Sequence, residues 1–215
     1  KNNLKNNLTF NIQMNLYGEF NLANALASFI AACVSLNSNN INYQTLSQNF
    51  NKLRPLNGRM NKISINKNLP IFIDYAHTPD AIKNALCAIK QHYPQNKIMI
   101  IFGCGGDRDR SKRPQMMQAS LNHADKVIIC HDNPRQEDPA QIFADMLANI
   151  NNKTINNKIL IIPDRKQAIL YALNNINKHI LLLAGKGHET TINIKDKIID
   201  CNERQIIADF YNQAS

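Results

Sequence analysis

Tryptophan is missing from this 215-residue chain, glycine occurs only seven times, and no stretch stays apolar for long. Apolar runs reach about five or six residues, far short of the roughly 20 a membrane helix needs. Lys1-Asn2-Asn3-Leu4 leads into no apolar h-region, so no secretory signal is expected. The five cysteines (Cys33, Cys87, Cys104, Cys130 and Cys201) are odd in number and widely spaced. None falls in a Cys-x-x-Cys or Cys/His metal pattern, which predicts reduced, mostly buried thiols in a cytoplasmic protein. No Walker A sequence occurs, and no Ser-His-Asp or Cys-His set presents itself by spacing. Basic residues outnumber acidic ones to a net charge of +9, yet they are scattered and not interleaved with aromatics. That argues against nucleic acid as a partner. The surplus suits attraction of phosphorylated or carboxylate substrates instead.

What is present fits a globular protein. Apolar residues make up 44% and charged residues 19%, enough for one or two domains with a real core. Leu8, Phe10, Ile12, Met14 and Leu16 alternate as a strand would, and a turn follows at 17–21. A helix is expected over Leu22 to Leu36 and a weaker one over 43–53. Arg54-Pro55-Leu56-Asn57-Gly58-Arg59 breaks the pattern and marks a domain junction. One strand and two helices make an incomplete domain before it. Beyond it strands and helices alternate. Strands are expected at 60–65, 71–74, 98–102, 126–130, 158–162 and 179–184. Helices are expected from Pro79, over 114–122, from Pro139, over 164–176 and after Asn202. A hairpin over 190–199 should turn near Lys195-Asp196. The fold class is therefore α/β, with a mostly parallel sheet and helices on both faces. Right-handed crossovers place the loops 74–78, 103–113, 131–138 and 185–190 on one sheet edge, where such folds bind ligands.

Those loops hold the unusual polar residues. In Asp132-Asn133-Pro134-Arg135 an Asn and an Arg flank a rigid proline, a pair able to grip a carboxylate. Asp74 ends a buried strand, where an acid can accept from ribose hydroxyls and Tyr75 or His77 can lie against a base. Gly103-Cys104-Gly105-Gly106 lets backbone approach a ligand, with Arg108 and Arg110 behind it, but lacks the third glycine of a dinucleotide fingerprint. Gly185-Lys186-Gly187-His188-Glu189 is no P-loop, because strand-like sequence follows; Glu189 can hold a ligand ammonium. Each loop could equally be no more than a helix cap or a solvated turn.

Six segments in order resemble the Mur ligase family: Leu16 to Ala27, Gly58-Arg59-Met60, Asp74 to Asp80, Gly103 to Asp109, Asp132 to Pro139, and Ala184 to Glu189. The resemblance covers nearly the whole chain. It implies a Rossmann-like C-terminal Mur ligase domain over 58–215, preceded by the C-terminal end of the central ATP-binding domain over 1–55. It places the family's P-loop, Mg2+ ligands and modified lysine before Lys1, so the chain alone is expected to be inactive and to hold no catalytic or metal residue. The implied activity is ATP-dependent addition of meso-diaminopimelate to UDP-MurNAc-L-Ala-D-Glu in peptidoglycan biosynthesis, with ATP and Mg2+ as cofactors. Small-molecule substrates are the expected partners, with neither nucleic acid nor membrane, and a monomer is the default. The resemblance assigns Asn21, Asn24, Arg59, Asp74 and His77 to ATP. It assigns Arg108, Asp132, Asn133, Pro134, Arg135, Gly185 and Glu189 to the amino acid. Arg135 favours a ligand with a distal carboxylate over lysine. A lysine-adding or folate-glutamating relative, or a non-catalytic amino-acid-binding module, remains the alternative.

Overall fold

The computed structural model describes residues 14, 16–35, 42–64, 70–176 and 179–213. The chain divides into two compact units between Pro55 and Leu56. In the first, helix α1 (Glu19–Ser35) starts three residues earlier than its apolar stripe suggests. Gly18, at φ +93°, turns the chain there, and Glu19 puts an acid at the positive end of the helix dipole. Helix α2 (Tyr43–Phe50) is shorter than expected; the Asn42 side chain caps it by accepting from Thr45 N at 3.0 Å. The Phe29 and Phe50 rings meet edge to face at 5.6 Å. The strand expected over 8–16 lies outside the described residues except for Met14 and Leu16, which are irregular.

The second unit begins with β1 (Asn61–Ile63) and β2 (Ile71–Asp74). Thr78 caps α3 (Pro79–His92), with Pro79 supplying the fixed φ of the first turn. Then come β3 (Lys97–Phe102), α4 (Lys112–His123), β4 (Lys126–Ile129) and α5 (Pro139–Leu147), the last opened by Asp138 and Pro139. Helix α4 takes in two residues before Pro114, because a proline in the first turn forfeits no helical hydrogen bond. The short α6 (Asn152–Lys158) was not expected: its sequence NKTINNK has no apolar stripe, and a cap from Asn151 to Thr154 N sets it. β5 (Ile159–Ile161), α7 (Arg165–Asn174), β6 (His179–Ala184), the hairpin β7 (Thr191–Ile194) and β8 (Lys197–Asp200), and α8 (Glu203–Gln213) complete the unit.

Six strands form one sheet in the order β1-β2-β6-β3-β4-β5; all neighbours are parallel except β1 with β2. Continuous apolar runs such as IFID and HILLLA occupy its centre, buried on both faces as a parallel sheet requires. Ile71, Ile73, Met99, Ile101, Leu181 and Leu183 pack one face against α7 and α8. The alternate residues point the other way, and Phe72 meets Tyr93 at the end of α3. β6 comes last of the parallel strands in sequence yet lies between β2 and β3. The crossover direction reverses to reach it, which opens a crevice at the carboxyl ends of these strands.

Candidate functional site

A cleft of about 560 Å³ occupies that crevice. It is lined by Tyr75 and His77 after β2, by Gly103 to Gly105, Arg108, Asp109, Lys112 and Arg113 after β3, by Asp132, Asn133 and Arg135 after β4, and by Gly185 and Glu189 after β6. The four loops expected on one edge thus meet in one place. Missing side chains let them approach. A Cβ on Gly106 would collide with the Pro134 carbonyl oxygen, and one on Gly185, at φ +105°, would lie 2.8 Å from Asp132 Oδ2.

Arg135 sits at φ +55°, an uncommon backbone state for a long side chain. The hairpin holds it there. Arg135 N donates to Asn193 O at 3.0 Å, and Lys195 N donates to Arg135 O at 2.6 Å. Its guanidinium donates to the carbonyl of Gly106 at 2.8 Å and meets no carboxylate among the described residues. Arg108 lines the same cleft, exposed, with no hydrogen-bond or ion-pair partner among the described residues. Asp132 likewise has none.

Behind the glycine loop lies Arg113, a residue that no local sequence pattern singles out. It is 1% exposed and donates to Glu137 at 2.6 Å through each terminal nitrogen, to Asp145 Oδ2 at 2.7 Å and to Gly105 O at 3.2 Å. Arg110 grips both oxygens of Asp145 at 2.9 and 3.0 Å. Hydrogen bonds from Arg113 hold the Glu137 carboxyl below its usual range, and those from Arg110 do the same for Asp145. This network locks loop 103–113 to α5 and to loop 131–138. Its members lie 24 to 35 residues apart in sequence, a separation at which no local pattern pairs them.

Lys186 is a second residue whose place the sequence did not disclose. Its side chain is fully buried. The ammonium donates to Asn133 Oδ1 at 3.1 Å and to Glu189 Oε2 at 2.9 Å, and Asn133 Nδ2 donates to the same Oε2 at 3.0 Å. Asn193 N completes the ring by donating to Asn133 Oδ1 at 2.9 Å. Burial pushes the Glu189 carboxyl up, but Lys186, Asn133 and Tyr75 together pull it below its ordinary value. Burial drives the Cys104 thiol in the cleft wall up to about 12, which leaves it inert.

At the other end of the cleft, Tyr75 forms a platform. His77 meets its ring at 4.7 Å and His188 at 5.6 Å, and the Arg59 guanidinium lies over it at 4.9 Å. Asp74 is not in the cleft lining: its oxygens accept from Met60 N at 2.6 Å and Ala76 N at 2.8 Å. Burial raises its pKa against those bonds. Of the two asparagines singled out in the first unit, Asn21 donates to Tyr17 O at 2.7 Å and Asn24 is exposed on α1. Pro134 is buried, and its carbonyl accepts from Glu137 N.

Beneath the site, Arg165 and Glu203 form an ion pair at 2.8 Å with both side chains almost fully enclosed. Arg165 also donates to Ala184 O at 2.7 Å, just before the Gly185 turn. Glu203 Oε2 is buried without a hydrogen-bond partner among the described residues. Among the described residues, no group of His, Cys, Asp and Glu could hold a metal ion, and no helix is long and apolar enough to cross a membrane.

A family model described as "Mur ligase, glutamate ligase domain" matches residues 58–187. The UDP-N-acetylmuramoyl-L-alanyl-D-glutamate–2,6-diaminopimelate ligase of Coxiella burnetii is 41% identical over 189 residues, which is 87% of this chain and 37% of that protein. Its counterpart in Buchnera aphidicola subsp. Acyrthosiphon pisum is 45% identical over 193 residues, 89% of this chain and 37% of that one. The chain spans about two fifths of the length of the curated relatives it matches. A solved structure of a ligase with the same name superposes with a TM-score of 0.70 at 37% identity, over 95% of this chain and 41% of that one. A Mycobacterium tuberculosis folylpolyglutamate synthase superposes at 0.66 over 81% of this chain and 39% of that one; at 16% identity it shares the fold alone. The family model covers more than half of the chain, and with these relatives it establishes that the chain belongs to the Mur ligase family.

Proposed function

We propose that the chain serves ATP-dependent amide bond formation, the addition of meso-diaminopimelate to UDP-MurNAc-L-Ala-D-Glu in peptidoglycan biosynthesis. Residues 58–215 then form the C-terminal Mur ligase domain and residues 1–55 the end of the central ATP-binding domain, in a cytoplasmic enzyme. One observation carries the reading. Two guanidinium groups, Arg108 and Arg135, reach the cleft without a carboxylate partner among the described residues, beside Asp132 and the Asn133–Lys186–Glu189 cluster.

That arrangement fits an amino acid with a carboxylate and an ammonium at its far end. Arg135 and Arg108 pair with the carboxylate; Asp132 and Glu189 receive the ammonium, and the Asn133 amide, donating through Nδ2 to Glu189, holds that acid in place. Pro134 and Gly185 hold these groups at their spacing. Lysine has no distal carboxylate and would leave the half-buried Arg135 guanidinium without a counter-charge, an unfavourable state. Arg59, His77 and the Tyr75 platform serve ATP, braced by Asp74 through Met60; Asn21 and Asn24 serve its base. ATP supplies the phosphate that turns the D-Glu carboxylate into an acyl phosphate, which the amine attacks with loss of phosphate. This chain's residues do not make that bond: they hold the amine in line. No described group offers Mg2+ a protein cage, so no step is assigned to it.

Titration calorimetry of the 215-residue chain with meso-diaminopimelate and with L-lysine tests this reading. Preference for meso-diaminopimelate is expected, and equal or better lysine binding would overturn it.

A further inference from the structure

Lys186 contributes to more than local packing. An ammonium with no exposed surface is costly to bury unless it is paired. Here it is paired with Glu189, one of the cleft's own acids. The other charged side chains that line the cleft, taken with their ion-pair partners, sort into two groups. Asp109 and Lys112 pair with each other at 3.8 Å, and Arg110 and Arg113 are matched by Glu137 and Asp145. Arg108 and Arg135 have no ion-pair partner among the described residues, and neither does Asp132. Without Lys186, the two free cations would face two free anions, Asp132 and Glu189. With it, Glu189 is neutralised from behind and the cleft keeps one positive charge in excess.

We infer that Lys186 is a specificity-determining positioning residue: by cancelling the charge of Glu189 and fixing the Asn133 amide, it tips the cleft toward amino acids with two carboxylates. This rests on the amino-acid-binding reading above. With its reacting amine neutral, a diamino dicarboxylate carries one net negative charge and matches the excess. Lysine in the same state carries none. The amide is fixed because Asn133 Oδ1 already accepts from Lys186 and from Asn193 N, which leaves Nδ2 to face Glu189. Lys186 is one link removed from the ligand, so it acts through Glu189 and Asn133.

The test is calorimetric titration of the full chain, as wild type, Lys186→Met and Lys186→Arg, with meso-diaminopimelate and with L-lysine. The readout is the ratio of the two affinities, with circular dichroism confirming the fold. Lys186→Met should reduce the preference for the dicarboxylate at least tenfold, and Lys186→Arg should restore most of it. A purely structural lysine would weaken both ligands together and leave the ratio unchanged, which would overturn the inference. If Lys186→Met does not fold, Glu189→Gln takes its place: the unopposed Lys186 should then raise the ratio, and a fall would overturn the inference. A wild-type chain without preference for meso-diaminopimelate would refute the amino-acid reading itself, and the inference with it. Preference in the wild type with an unmoved ratio in the variants refutes the inference alone.

Discussion

Replacing Arg165 by Met should come close to unfolding the second unit. The substitution keeps the apolar stem but removes three donations: to Glu203 Oε1 at 2.8 Å, to Ala184 O at 2.7 Å and to the Cys130 sulfur at 3.5 Å. Glu203 then has no hydrogen-bond partner among the described residues, since its other oxygen is already unsatisfied. Breaking a buried ion pair from one side costs about 3–5 kcal/mol, and orphaning the Ala184 carbonyl adds about 1–3 kcal/mol. Against a total stability of roughly 5–15 kcal/mol, such a loss lowers the melting temperature by on the order of 10–20 °C. Urea denaturation at pH 7 and pH 5 measures it. The pH series carries a signature of its own. Without Arg165, burial raises the Glu203 carboxyl unopposed, so the folded chain holds that proton more tightly than the unfolded chain does. The variant's deficit is therefore largest at pH 7 and shrinks as pH falls. Adding Glu203→Leu should recover at least half of the loss. A deficit below about 1 kcal/mol, or strict additivity in the double-mutant cycle, would show that the pair does not hold α7, α8 and the end of β6 together.

Acid sensitivity should trace to the Arg113 network. Glu137 and Asp145 titrate below their ordinary values of 4.5 and 3.8 in the folded chain, so their stabilisation is complete above those values and is lost as pH falls through the depressed ones. Arg113→Met should flatten the acid limb of a stability–pH profile below pH 4.5, and an unchanged slope would place the acid sensitivity elsewhere. The cysteines should divide by burial. Thiols pushed up to about 12 at Cys104 and Cys130 and about 11 at Cys201 should resist a thiol reagent at pH 7.5, while Cys33 and Cys87 react, and all five should label in denaturant. Rapid native labelling of Cys130 would contradict its burial.

Much of this architecture was legible in the sequence because local chemistry writes it. Thr78-Pro79 and Asp138-Pro139 announce helix starts, and the Lys195-Asp196 turn closes its hairpin with Lys195 at φ +51°. The four loops of the cleft follow from the parallel pattern and the handedness of its crossovers. What was hidden is non-local. The position of β6 between β2 and β3 depends on which strands pair, and no periodicity encodes that. Lys186 looked like half of a failed phosphate loop because its partner Asn133 is 53 residues away. Asp74 has a structural task that its place at a strand end did not disclose: its carboxylate accepts from the N–H groups of Met60 and Ala76. Helix α6 escaped notice because its signal is a single capping asparagine and not a stripe.

The left-handed backbone at Arg135 has a consequence for anyone recombining these proteins. Arg135 is carried by two parents: the covalent chain that leaves β4, and the hairpin whose Asn193 and Lys195 clasp its peptide groups some 60 residues on. A loop graft of 131–138 alone would import the arginine without its clasp, and the recipient's hairpin would have to hold a backbone shape it was not selected to hold. Segments 131–138 and 190–200 therefore behave as one heritable cassette, and chimeras that exchange them together should keep the donor's ligand choice where single grafts lose it.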